Sequence, residues 1–266
     1  MKTRVMQKDC KNCSIVYRQE EAIHNIKLLL TIIFAKIQYE ELTAQPDMAP
    51  EFASFLSYMK KSSFKLIKIV NDATDLGRLS RGALSPRLRN YDVVALIRDL
   101  LETATPLATN KKLHLEFTSN ICQLTTAVDK EMLERIMLNL LSNAIKFSHE
   151  NGIITVQINE KPELVQISVA DNGIGIPPNR VKDIFNRYVS DANSQNKYGV
   201  GVGLAVAQGL ANSMQGLISV KSGDWGTIMT LSLPKLSTAD EDEFRSFYSD
   251  FYSDNMVQIE LSDELG

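Results

Sequence analysis

The sequence has few of the features that mark secreted, fibrous or membrane-spanning proteins. Its 266 residues include only 3 cysteines, too few to frame a disulfide scaffold. Cys10 and Cys13 lack the second pair or nearby histidine that would complete four zinc ligands, so we interpret them as incidental. The longest uncharged apolar run of the N-terminal half, Leu28 to Ala35, is far below the roughly 20 residues that span a bilayer. No secretory leader pattern opens the chain, and we expect a cytoplasmic protein.

Excess charge is scarce over most of the chain and concentrated at its end. Residues 237–266 carry nine acidic residues and one arginine, a net charge of −8, so residues 1–236 carry +5 against a formal total of −3. That scattered basic excess is too small to support nucleic-acid binding by counterion release. The acidic, aromatic tail could dock a partner or fold back on the basic junction, but a solvated tail is the simpler interpretation.

Two long amphipathic helices are predicted in the first third of the chain. From Tyr17 to about Leu42, apolar residues recur in steps of three and four, as in a coiled coil or bundle: Ile23, Ile26, Leu30, Ile33 and Ile37. Beyond Pro46 and Pro50 the same spacing returns at Phe52, Phe55, Met59, Leu66, Ile69, Ala73 and Leu76. Because one hairpin buries only one side of each helix, we expect a homodimer that completes a four-helix bundle.

The pattern changes beyond the arginine-containing junction from Arg78 to Asn90. We predict a helix from Val93, a strand over 113–117, and a helix over Lys130 to Phe147 capped by Asp129. Strands are predicted at 153–158, 165–169, 218–220 and 227–233, with a helix over 200–214. The expected fold class is α+β, with helices on one mixed sheet. The predicted divisions are an N-terminal segment 1–14, a helical hairpin 15–80, a junction 81–91, an α/β sandwich 92–236 and a tail 237–266.

One face of the helix over 130–147 carries polar residues. Asn139, Asn143 and Lys146 are spaced by four and three, so they share a side of the helix. A buried amide costs about 1–3 kcal/mol unless it is hydrogen-bonded. The pair of amides therefore predicts either a structural hydrogen-bond network or a bound ligand, and the helix alone leaves both open.

Two glycine-containing loops favour the ligand. The segment from Asp171 to Ile176, DNGIGI, ends a strand, where a carboxylate can accept a hydrogen bond from an exocyclic amine and glycines let the backbone approach a flat ring. The segment from Gly199 to Leu204, GVGVGL, opens a helix, whose N–H groups suit phosphates. Either loop alone is typical of an ordinary turn, but the two in this order predict a nucleotide site.

The series NLLSNAIKF (139–147), DNGIGI (171–176), IFNRY (184–188) and GVGVGL (199–204) resembles the N, G1, F and G2 boxes of the Bergerat-fold ATP-binding domain of sensor histidine kinases, over about residues 92–234. The resemblance implies ATP and Mg²⁺ as cofactors, with the side-chain oxygen of Asn143 on Mg²⁺ and Asn139 as its hydrogen-bonding neighbour. It implies that Lys146 contacts phosphate and that Asp171 reads the adenine amino group. The remaining residues that it assigns to the ATP site and its lid are Gly173, Gly175, Ile176, Phe185, Arg187, Gly199, Gly201, Gly203 and Leu204.

Hydrolysing members of the wider superfamily, such as the gyrases, carry a water-activating glutamate at the position of Asn139. The asparagine here argues against simple ATP hydrolysis.

The first predicted helix resembles the phosphoacceptor motif of the same kinases, His-Glu-x-Arg/Lys-Thr-Pro-Leu-Thr. His24, Lys27, Leu30 and Thr31 match it, which implies that His24 is the phosphorylated residue. Three positions depart from the motif: Asn25 stands in place of the acidic neighbour, Leu28 in place of the threonine associated with phosphatase activity, and Leu29 in place of the proline that bends the helix. Loss of a positioned acid–base group typically costs about 10²–10⁴ in rate, so slow kinase activity is expected.

The leading interpretation is a homodimeric histidine protein kinase that binds Mg·ATP, autophosphorylates His24 and passes the phosphate to an aspartate of a response regulator. The departures at Asn25, Leu28 and Leu29 leave a second interpretation open, a degenerate pseudokinase that binds ATP and regulates a response regulator or kinase through its hairpin. A serine kinase of the anti-sigma type is disfavoured, because that class lacks a long hairpin with an aligned histidine.

Overall fold

The computed structural model describes residues 23, 25–40, 50–186 and 202–237. The chain divides into two compact units, Met1–Arg78 and Leu79–Gly266. Within the described ranges, none of the helices has both the length and the apolar content that crossing a bilayer requires.

The first unit contains two helices that pack through aromatic and aliphatic side chains. Residues 25–40 are helical (α1), and α2 covers Pro50–Ser80. Phe34 of α1 and Phe64 of α2 are both buried, with ring centroids 4.6 Å apart. The rest of the buried apolar contact comes from Leu30, Ile37, Leu56 and Ile67. The expectation of two long helices in this region is confirmed for the residues described.

The apolar residues of the predicted helical seam divide between two faces of the helices. On α1, Leu30 and Ile37 are buried, whereas Ile26 and Ile33 are 46% and 44% exposed. On α2, four large side chains of the predicted series are exposed: Phe52, Phe55, Leu66 and Ile69. The face of α2 that is buried instead includes Leu56, Ser63, Phe64 and Ile67. The spacing therefore identified the helices correctly but not the side that packs within the unit.

The second unit is a two-layer arrangement of helices on a mixed sheet. Its elements in chain order are β1 (Arg89–Asp92), α3 (Val93–Asn110), β2 (His114–Ser119), β3 (Thr125–Val128), α4 (Lys130–Phe147), β4 (Ile153–Glu160), β5 (Leu164–Asp171), α5 (Gly203–Ser213), β6 (Leu217–Gly223) and β7 (Gly226–Pro234). The main sheet has the order β2-β4-β5-β7-β6. Strands β2 and β4 are parallel, and the other neighbouring strands are antiparallel.

Alternation along the strands separates the two faces of this sheet. Val156, Ile167 and Leu231 are buried beneath the helices. Ser168 and Thr230 belong to the other face, where their hydroxyls hydrogen-bond across β5 and β7 at 2.9 Å. One buried and one polar face is the expected pattern for helices covering a single side of a sheet. The predicted α+β class is confirmed.

Helix α4 begins as the sequence predicts. The Asp129 side chain accepts a hydrogen bond from the backbone N–H of Met132 at 3.1 Å, which satisfies a donor of the first turn. Its other carboxylate oxygen accepts from the N–H of Arg87 at 2.8 Å. Asp129 therefore both caps the helix and fastens the segment that leads into β1.

A small second sheet was not predicted. Strand β1 pairs antiparallel with β3, with Arg89 opposite Val128. The residues after β7 return to this sheet, because the N–H of Ala127 donates to the carbonyl oxygen of Leu236 at 2.8 Å. The Thr126 hydroxyl also bonds both the carbonyl and the N–H of Leu236. Strands of four residues with little alternation leave no clear sequence signal.

Candidate functional site

Helix α4 presents the two predicted amides on one side. Asn139 is only 3% exposed, and its Nδ2 donates to the carbonyl oxygen of Arg135 at 3.0 Å. Asn143 is half-buried, and its Nδ2 donates to the carbonyl oxygen of Asn139 at 2.9 Å. Since each amide nitrogen donates to the helix backbone, the amide is held in one orientation, with its oxygen turned away from that backbone bond as an acceptor for another group.

The start of α5 lies directly against Asn139. A Cβ added to Gly203, the first residue of α5, would overlap the Oδ1 atom of Asn139. Only glycine allows this approach. Val202, at the N-cap of α5, makes no side-chain capping hydrogen bond. The first N–H groups of α5, which form a favourable site for anions, are therefore held beside the polar face of α4.

Asp171 is the last residue of β5. Its partial burial disfavours the ionised carboxylate, whereas its hydrogen bonds favour the ionised carboxylate. The side chain is half-buried, and its Oδ1 accepts from the N–H of Gly173 at 3.0 Å. Burial raises the pKa of Asp171 above its ordinary value, although the N–H groups of Gly173 and Thr227 and the charge of His149 act to lower it. An ionised carboxylate offers about four acceptor sites, so Asp171 can accept a further hydrogen bond beyond those from Gly173 and Thr227.

The glycine loop after Asp171 is fastened at both ends. The N–H of Ile174 donates to the carbonyl oxygen of Phe147 at 3.1 Å, which ties the loop to the end of α4. Gly175 has φ +67°, and a Cβ there would overlap the carbonyl oxygen of Gly223. The N–H of Ile176 donates to the Ser222 hydroxyl at 2.8 Å. A non-glycine residue at position 175 would meet both backbone strain and a backbone clash.

Lys146 lies in the last turn of α4, next to the attachment point of this loop. Its ammonium group is 5.2 Å from the centroid of the Phe147 ring, in the arrangement of a cation–π contact. The side chain is half-buried. The positive charge is therefore held at the same end of α4 that receives the glycine loop.

The structure brings together three of the predicted segments. Asn139 contacts Gly203, and the end of α4 contacts Gly173 and Ile174. Leu204 is the second residue of α5 and is half-buried. Phe185 lies in a separate series of turns over 178–185. Four predicted site residues fall outside the described residues: His24, Arg187, Gly199 and Gly201.

Sequence reasoning missed three residues around Asp171. Thr227 is 6% exposed and lies opposite Asp171 in the β5–β7 register, which brings its N–H to the carboxylate. Ser222 lies opposite Thr227 across β6 and β7. His149 is exposed beyond the end of α4. The start of a strand at Thr227 is visible in the sequence. The sequence does not show that this strand pairs with β5 and β6, which is what brings Thr227 and Ser222 to Asp171.

The chain's tryptophan is at the turn between β6 and β7. Trp225 is 55% exposed, and a Cβ on Gly223 would come 2.8 Å from the indole Nε1. The same Gly223 carries the carbonyl oxygen that lies against Gly175. Gly223 therefore lies between the indole of Trp225 and Gly175 of the glycine loop, close to both.

Metal-ligating side chains of the usual acidic kind do not cluster in the described part of the chain, where no group of three or more His, Cys, Asp or Glu could hold an ion. Magnesium in nucleotide sites is bound by one or two protein oxygens together with phosphates and water. The Asn143 Oδ1 fits that role, because Nδ2 of the same amide bonds the helix backbone.

Comparisons with known proteins agree with this arrangement. Residues 128–237 match the family described as "Histidine kinase-, DNA gyrase B-, and HSP90-like ATPase". The chain is 31% identical over 203 residues to the sensor histidine kinase WalK of Bacillus subtilis, covering 74% of this chain and 32% of WalK. The chain spans a third or less of the curated relatives that it matches.

Two solved structures are also similar. Full-length ShkA in complex with AMPPNP matches with a TM-score of 0.69 and 25% identity, over 84% of this chain and 46% of ShkA. The histidine kinase ThkA in complex with the response regulator protein TrrA matches with a TM-score of 0.53, over 84% of this chain and 61% of that chain. At 16% identity, the second likeness shows the fold alone.

Proposed function

Since the chain is related to the sensor histidine kinases and its C-terminal domain belongs to the histidine kinase-, DNA gyrase B-, and HSP90-like ATPase family, we propose that it is a histidine kinase. It binds Mg·ATP, phosphorylates His24 and passes the phosphate to an aspartate of a response regulator. The observation that carries the proposal is the contact of the Asn139 amide oxygen with Gly203 at the start of α5, together with the attachment of the glycine loop to the C-terminal end of the same helix.

The base of ATP is assigned to the Asp171 end of the site. Adenine carries an exocyclic amine that donates hydrogen bonds, and an ionised carboxylate only accepts them. Asp171 keeps acceptor capacity after its bond from Gly173, and its partial burial makes a hydrogen bond there stronger than in water. A guanine base has an oxo group at the corresponding position, so this end of the site favours adenine.

The phosphates are assigned to the α4–α5 end. Lys146, three residues beyond Asn143 on α4, supplies a positive charge, and the N–H groups at the start of α5 supply the partial charge of a helix N-terminus. Asn143 would hold a magnesium ion through Oδ1. A magnesium ion held there would offset the charge of the phosphates during transfer.

The chemical step is an in-line phosphoryl transfer. An imidazole nitrogen of His24 forms a bond to the γ-phosphorus while the bond to the ADP oxygen breaks, and ADP leaves. Asn25 cannot take a proton as an acidic neighbour would. Phosphoryl transfer depends mainly on positioning and charge neutralisation, both of which the site on α4 and α5 can supply. We therefore expect His24 to be phosphorylated, but more slowly than in a kinase with an acidic residue at position 25.

The test is incubation with γ-labelled ATP followed by mapping of the labelled peptide. Label that survives base, is lost in acid and maps to His24 supports the proposal. His114 and His149 are both exposed and serve as internal controls, because unspecific labelling of histidine would reach them as well. Subsequent incubation with response-regulator receiver domains should move the label to an aspartate. Label on serine would instead indicate a serine kinase.

A second candidate function is the pseudokinase, which Asn25, Leu28 and Leu29 favour. Binding of Mg·ATP without any acid-labile label would overturn the kinase proposal and support this alternative. Binding of a receiver domain by the unlabelled protein would then identify what the hairpin recognises.

We also propose that two copies of the chain associate through the hairpin. The exposed side of α2 carries Phe55, Leu66 and Ile69, and α1 exposes Ile26 and Ile33. Exposed apolar surface of this extent is unusual for a monomer and marks an interaction site. A second hairpin supplies a complementary apolar surface, which gives a four-helix bundle.

Replacing Leu66 with glutamate is expected to weaken this association at least tenfold, roughly the effect of losing one buried leucine and adding a charge. Analytical ultracentrifugation over a concentration series measures the change. Ser54→Glu is the matched control, because Ser54 is exposed on the same helix and gains the same charge. Equal weakening by both variants, or by neither, would contradict a dimer interface at Leu66.

A further inference from the structure

The Ser222 hydroxyl joins three segments around the proposed base-binding end of the site. Its Oγ accepts a hydrogen bond from the N–H of Ile176 at 2.8 Å, which reaches the glycine loop. It donates to the carbonyl oxygen of Gly226 at 2.8 Å, which closes the turn between β6 and β7. It is also 2.8 Å from the hydroxyl of Thr227.

The hydrogen-bonding capacity of this hydroxyl is completely used. A serine hydroxyl has one proton to donate and two lone pairs to accept with. The proton goes to Gly226, and one lone pair takes the Ile176 N–H. The bond with Thr227 must therefore run from the Thr227 hydroxyl to Ser222. The Thr227 hydroxyl is thereby fixed in direction, while the N–H of the same residue serves Asp171.

We propose that Ser222 is a positioning residue for nucleotide binding, acting on the glycine loop and on Thr227. This inference rests on the proposed binding of ATP. Gly175, one residue before Ile176, adopts φ +67°, which is one of several backbone conformations open to glycine, so contacts from outside the loop are needed to select it. The bond from Ile176 to Ser222 supplies that restraint beside the backbone contact of Gly175 with Gly223. Ser222 itself does not need to touch the nucleotide.

Ser222→Ala leaves the Ile176 N–H without its acceptor and releases the Thr227 hydroxyl. We expect the dissociation constant of ATP to rise about tenfold, as for one or two lost hydrogen bonds that hold a binding loop. The rate of His24 phosphorylation at saturating ATP should change little, because the phosphate end of the site lies on α4 and α5. Ser222→Thr keeps the hydroxyl and should restore most of the affinity.

Three measurements separate positioning from a general structural role. Calorimetric titration with Mg·ATP gives the affinity, amide hydrogen exchange reports on Ile176, and thermal unfolding reports on the whole domain. The expected result is weaker binding and faster exchange at Ile176 with little change in the unfolding midpoint. Ser219→Ala is the matched control, since Ser219 is exposed on the same strand.

Unchanged ATP affinity in Ser222→Ala would overturn the inference and leave the proposed kinase function standing. Absence of ATP binding by the unaltered protein would overturn both. If the alanine variant does not fold, Ser222→Cys keeps the approximate side-chain size while weakening the hydrogen bonds, and it should show the same loss of affinity. Wild-type affinity in that variant would likewise overturn the inference.

Discussion

Replacing Asp171 with asparagine is expected to raise the dissociation constant of ATP at least about a hundredfold while leaving the domain folded. A hydrogen bond to a charged group contributes about 1.5–3 kcal/mol, and an amide NH₂ directed at the adenine amine adds a repulsive donor–donor contact. The asparagine Oδ1 can still accept from the N–H of Gly173, so the turn after β5 keeps its local bond.

The same substitution should not lower the stability of the nucleotide-free domain at neutral pH. Burial raises the pKa of Asp171 in the folded state, so ionisation costs stability as the pH rises through that raised pKa. An asparagine has no charge and avoids this cost. The difference in unfolding midpoint between the Asp171→Asn variant and the unaltered protein should therefore shift in favour of the variant as the pH rises through the raised pKa of Asp171. ATP affinity of the unaltered protein is expected to show the opposite trend. It should fall with decreasing pH, beginning at a higher pH than for an ordinary aspartate, because burial raises the pKa of Asp171.

Calorimetry and thermal unfolding across a pH series measure both effects. Asp99→Asn is the control, because Asp99 is exposed on α3 and undergoes the same change of charge. Undiminished ATP affinity in Asp171→Asn would exclude this carboxylate as the acceptor of the adenine amine.

Replacing Asn143 with alanine is expected to reduce the rate of His24 phosphorylation at least about a hundredfold. Charge neutralisation by magnesium is a principal part of phosphoryl-transfer catalysis, and Asn143 is the proposed protein ligand. The helix should tolerate the change, because alanine favours helix and the lost bond to the carbonyl of Asn139 is local. The variant should bind ATP without the gain in affinity that magnesium gives the unaltered protein.

Titrations with and without magnesium, combined with the labelling rate, test this expectation. Asn212→Ala is the control, since Asn212 is an exposed amide in α5. Retention of a normal magnesium-dependent gain in affinity by Asn143→Ala would show that the ion is held elsewhere.

Helix α4 and strands β4 and β5 could be predicted from the sequence, because a capping side chain and the spacing of apolar residues within each segment determine them. The Asp129 cap and the apolar periodicity of Lys130–Phe147 located α4 without reference to the rest of the chain. Strict alternation located β4 and β5, whose buried residues lie on one face. Strands β1 and β3 were missed, because their pairing depends on contacts between residues far apart in the sequence.

The site shows the same division between local and long-range information. The glycines at 173 and 175 are visible in the sequence, but the carbonyl oxygen that requires a glycine at 175 belongs to Gly223. Ser222 and Thr227 act through a strand register that no local pattern specifies. On the hairpin, the spacing that includes Leu66 and Ile33 identified helices but could not separate the face packed inside the unit from the exposed one.

Trp225 gives the protein a built-in optical reporter. It is the chain's single tryptophan, so the indole fluorescence of the protein arises from one place beside Gly223. Because Gly223 contacts Gly175, a rearrangement of the glycine loop would change the solvent exposure of the indole and shift its emission wavelength. Nucleotide arrival at the site could therefore be followed in real time on unlabelled material.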